Sequence, residues 1–71
     1  MEKAQFDNEF LKFDLKVIAI DYESDGLIDK PARRMFYNDK VDSFHKSGLI
    51  TDKQANDWCI PERLVNTRNW L

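Results

Sequence analysis

Residues 3–22 carry two apolar rows at helical spacing, and that doubling leaves a short chain few ways to fold. Phe6, Phe10, Phe13, Val17 and Ile20 follow steps of three and four, and Leu11, Leu15, Ile18 and Tyr22 run beside them in the same rhythm. Asp7 and Asp14 sit between the rows, while Asn8, Glu9, Lys12 and Lys16 cover the far side. A strand over Phe13–Tyr22 would suit Val17, Ile18, Ile20 and Tyr22. Its alternation fails, because one face would mix Phe13, Leu15 and Val17 with Asp21, and the other Asp14 and Lys16 with Ile18 and Ile20. The spacing therefore predicts one helix of about five turns.

The remaining 51 of the 71 residues must cover this helix with little other help. A chain of this length buries a modest fraction of its surface, and small domains often add disulfides, a structural metal or oligomerisation. Cys59 is the only cysteine and His45 the only histidine. An internal disulfide is excluded, and a closed zinc site has too few ligands. Neither a metal nor a cofactor is expected. Five Phe, two Tyr and two Trp supply a dense aromatic core instead.

The punctuation after the first helix is clear. Ser24-Asp25-Gly26 breaks it, and Leu27 and Ile28 form a short linker. Asp29 and Pro31 open a helix expected to run to about Lys46, with Tyr37, Val41 and Phe44 as its stripe and Met35 and Phe36 adding contacts. Gly48 is the expected left-handed terminator. Thr51-Asp52-Lys53-Gln54 fits a capping box for a third helix over 52–59, presenting Ala55, Trp58 and Cys59. Pro61 ends that helix or starts a last short one with Leu64 and Val65 inward. The expectation is an all-α fold: a single helical domain over 1–71 with three helices and an optional short fourth at the C-terminus.

The run Phe44-His45-Lys46-Ser47-Gly48-Leu49-Ile50-Thr51-Asp52-Lys53-Gln54 resembles the turn of the SHOCT-type helical hairpin, over roughly 41–58. The resemblance implies two helices paired around a Gly-apolar-Ile-Thr turn, acting as an interaction or oligomerisation element.

Patterns that carry chemistry are weak. Asp21, Glu23, Asp25, Gly26, Ile28 and Asp29 echo a calcium loop, but Ala32 stands where the bidentate Glu belongs. An acidic helix end, a turn and a helix start account for the same residues. Cys59 reads as a small buried hydrophobe and His45 as a dipole-compensating residue near a helix end, rather than as nucleophile and base. Arg33 and Arg34, with Lys30, Lys40 and Lys46, form a potential basic patch. A net charge of -2 and two acids in the would-be recognition helix 52–58 disfavour nucleic acid.

No apolar run approaches the ~20 residues of a membrane span. A free cysteine and a start unlike an export signal lead to a cytoplasmic expectation. What remains is a non-enzymatic module binding another protein, a small inhibitor or adaptor of the kind frequent in phage and mobile elements. The candidate contacts are Trp58, Trp70, Arg33 and Arg34, since Trp and Arg dominate interface energetics. A homodimer is a second option, because the first helix has more apolar surface than two short helices readily cover. A helical nucleic-acid-associated protein using Arg33 and Arg34 is the alternative.

Overall fold

The computed structural model describes residues 1–68. Helix α1 (Lys3–Glu9) runs into a π-helical turn (Phe10–Asp14) and then α2 (Leu15–Tyr22), forming one amino-terminal rod. Helices α3 (Lys30–Lys46), α4 (Asp52–Asp57) and α5 (Glu62–Asn66) follow. The described residues contain no strand.

The π turn decides which apolar row is inside. The Leu15 amide donates to the Phe10 carbonyl, five residues back rather than four. That added residue rotates everything downstream relative to α1. Phe6 and Phe10 of the first row are therefore followed in the core by Leu15 and Ile18 of the second, all four fully buried. The expected single face of Phe6, Phe10, Phe13, Val17 and Ile20 is not what forms. Phe13, Val17 and Ile20 turn outward instead, at 64%, 48% and 75% exposure.

Each fully buried Phe, Leu or Ile contributes about 2 kcal/mol of apolar transfer, so the register is strongly specified. Phe6 is the hub of the core. Its ring meets Tyr37 at 5.1 Å and Phe44 at 5.2 Å, both edge-on, and Trp58 at 5.2 Å. Phe10 meets Tyr37 at 5.3 Å. Val41, Ile50, Leu64 and Ala32 complete the packing. Tyr22, farther along the rod, stays part-exposed and stacks edge-on against Phe36. Met35 was expected to add a contact but faces out, because Ala32 and Tyr37 define the inner side of α3.

Local signals account for the helix ends. Asp29 accepts the Ala32 amide at 3.1 Å with Pro31 in the first turn of α3. Gly48 closes α3 at φ 77° and Gly26 turns the chain after α2 at φ 84°, both in the left-handed region. The capping box forms as expected: Thr51 Oγ1 accepts the Gln54 amide, and Gln54 Oε1 accepts the Thr51 amide. Gln54 also donates to the Met1 carbonyl at 2.9 Å, tying the amino terminus to α4.

Helix α4 stops at Asp57, earlier than the expected 59. Trp58 is already extended at ψ 127°, and Ile60 precedes Pro61, which disfavours helical geometry. Pro61 then caps the short α5, with Leu64 and Val65 buried as expected.

Candidate functional site

Arg33 was expected on a binding surface and lies in the core. Its Nε and Nη2 donate to the two carboxylate oxygens of Glu23, each at 2.8 Å, in a bidentate pair with both side chains fully buried. Its Nη1 donates to the carbonyls of Leu64, Val65 and Thr67 at 3.0, 3.2 and 2.7 Å. Helix α5 is so short that its last carbonyls lack helical partners, and the guanidinium supplies them. Arg33 thus joins the end of the amino-terminal rod, α3 and α5. Burial acts to raise the Glu23 carboxyl, but hydrogen bonds from Arg33 and the Asp29 amide and the charges of Arg33 and Arg68 hold it below its ordinary value.

Arg34 and Trp58 do not converge. Arg34 is exposed and lines a shallow cleft of about 260 Å³ with Lys30, Ile60, Glu62, Val65 and Asn66. Trp58 is half-buried against Phe6 and borders a separate groove of about 290 Å³ between α3 and α4, with Asn38, Val41, Asp42, His45, Ala55 and Asn56. Trp70 lies outside the described residues.

Of the basic patch, Lys30 alone stays beside Arg34. Lys40 reaches Asp14 at 3.6 Å and lies 4.9 Å from the centre of the Phe44 ring. Lys46 pairs with Asp42 at 2.9 Å. With Arg33 internal, the nucleic-acid reading loses the arginine pair on which it rested.

Catalytic and metal constellations fare no better. His45 pairs with Asp52 at the start of α4. Cys59 was expected to be buried but is exposed, because the chain beyond Asp57 is extended and turns the thiol away from the core. In the acidic segment Glu23 is committed to Arg33, Asp25 accepts the Leu27 amide and Asp29 caps α3. Among the described residues no group of three or more His, Cys, Asp or Glu side chains is placed to hold a metal ion.

One buried polar pair lies beneath the rod. Tyr37 donates its hydroxyl to Asp7 at 2.7 Å, and Lys3 donates to the other Asp7 oxygen at 2.8 Å. Burial, and then the Asp7 carboxylate, push the Tyr37 phenol far above its ordinary value. A phenol so locked as a donor is a structural group, because it cannot release its proton near neutrality.

Among the described residues, the outward row Phe13, Val17 and Ile20 groups three exposed large apolar side chains on one helical face. It runs along two turns of the rod, on the side opposite the core. At about 100° per residue, Lys16 and Asp21 fall about 70° to either side of the line through Val17 and Ile20. Both are exposed, and neither forms an ion pair among the described residues. Asp14 lies on the same side but is already paired with Lys40: burial raises its carboxyl, Lys40 opposes the rise and the charge of Glu9 adds to it. The stripe is thus apolar in the middle, basic on one flank and acidic on the other.

These three side chains were expected on one helical row with Phe6 and Phe10, and the one sign of the outcome was the excess of apolar surface on the first helix. In comparison with known proteins, no family model matches the chain, and no curated protein or solved structure matches it significantly. Among the described residues, no helix is long and apolar enough to cross a membrane.

Proposed function

We propose that this chain is a non-enzymatic protein-interaction module, acting as a small inhibitor or adaptor, with the Phe13–Val17–Ile20 stripe as its contact surface. The observation that carries the reading is the solvent exposure of these three large side chains on one helical face. Leaving them in water forgoes the transfer free energy that drives the rest of the fold, and contiguous apolar patches on small proteins mark contact sites. The stripe takes over the role first given to Arg33, which is spent on internal bonds. Trp58 and Arg34 border other surfaces and are secondary to it. The protein acts by occupying a partner's apolar surface, in a cytoplasmic setting.

Photo-cross-linking in the native host tests this directly. A benzophenone side chain at Val17 is expected to form a covalent protein adduct, while the same group at Lys53, exposed on α4, gives none. Equal yields from both positions, or none from Val17, would overturn the assignment.

A further inference from the structure

The flanks of the stripe are complementary to each other, which limits what can cover it. We propose that its occupant is a second copy of this chain, packed so that the two amino-terminal rods run parallel and Lys16 of each copy faces Asp21 of the other. The proposal rests on reading the stripe as a protein contact.

Symmetry fixes the orientation. A two-fold axis along the rods sets the basic flank of one copy against the acidic flank of the other, whereas an axis across them sets like charge against like. In a heptad frame Val17 takes position a, Phe13 and Ile20 take d, Lys16 takes g and Asp21 the following e. A g side chain paired with the next e side chain of the neighbouring strand is the charge pattern of parallel two-stranded packing. Leu15 and Ile18 then occupy outer positions of that frame, as they must, because they already face the core of their own copy.

Two turns of helix cover less than the roughly 800 Å² per partner of a stable interface. The dimer is therefore weak, depends on concentration and loosens as salt screens the flanking pairs.

Sedimentation equilibrium of the full chain, from micromolar to about 1 mM at low ionic strength, measures this. The average mass is expected to climb from 8.5 kDa toward twice that value. Lys16→Asp and Asp21→Lys should each weaken association by about tenfold or more, and the double exchange should restore it. Ile20→Glu should abolish it while circular dichroism stays unchanged, since all these sites are exposed. A mass fixed at the monomer value, a double exchange that does not rescue, or a Lys16→Asp variant that associates more tightly would overturn the parallel dimer. A monomeric chain that still cross-links from Val17 to another protein defeats the self-pairing alone. A monomeric chain with no adduct defeats the reading of the stripe as well.

Discussion

Two buried polar groupings, Glu23–Arg33 and Asp7–Tyr37, lie in the core, and an apolar pair in place of the first would leave the Asp29 amide and the carbonyls of Leu64, Val65 and Thr67 without these partners. Among the described residues every buried side-chain nitrogen and oxygen has a partner. Removing half of a buried ion pair strands the other half. Arg33→Ala should cost about 3–5 kcal/mol, measured by urea unfolding, with exposed Arg34→Ala as the near-neutral contrast.

The pair also predicts a pH response. Because the Glu23 carboxyl lies below its ordinary 4.5, its contribution is complete above that pH and is lost as the pH falls through the lowered folded value. Asp14 has the opposite sign: its raised carboxyl favours the folded state most below the ordinary 3.8, and that advantage goes as the pH rises through the raised value. Tyr37, raised from 10.0, keeps its contribution below that pH and loses it as the pH climbs above. Urea midpoints of Glu23→Gln should be lower overall and vary less with pH below 4.5 than those of the parent chain. An unchanged acid slope would show that Glu23 does not govern it. None of this was legible in the sequence. Adjacent Arg33 and Arg34 look alike there, and only the approach of Glu23 and the carbonyls of α5 separates them.

Among the elements, caps and terminators were the most legible. Asp29, Pro31, Gly48, Thr51 and Gln54 act through neighbours within a few residues, so their roles follow from local order alone. The amino-terminal rod was legible as a helix but not in its register. Periodicity finds rows, whereas the choice between two rows depends on what packs against them, and the π turn lets the rod use part of each. Lys12 lies exposed within that turn. Deleting Lys12 should convert it to regular α-helix and bring Phe10 and Leu15 to an i, i+4 spacing, keeping Phe6, Phe10, Leu15 and Ile18 on one face. The thermal midpoint should hold or rise. A collapse of folding would show that the turn is required for more than register.

For the whole molecule, the described residues cover one side of a long helix and leave the other bare. Composition foretold the excess: so much apolar surface on the first helix exceeds what α3, α4 and α5 can meet. Its location depended on the π turn and was not readable. The candidate site accordingly moved from Arg33, Arg34 and Trp58, which lie apart, to Phe13, Val17 and Ile20. The proposed function rests at this scale on a division of the rod into an inner face that folds the chain and an outer face left exposed.

The division is tested most directly by solvent relaxation enhancement of side-chain methyl groups in dilute protein, using an inert gadolinium chelate. Strong enhancement is expected at Val17 and Ile20 and little at Leu15 and Ile18. Comparable protection of all four, or strong enhancement at Ile18 with Ile20 shielded, would contradict it.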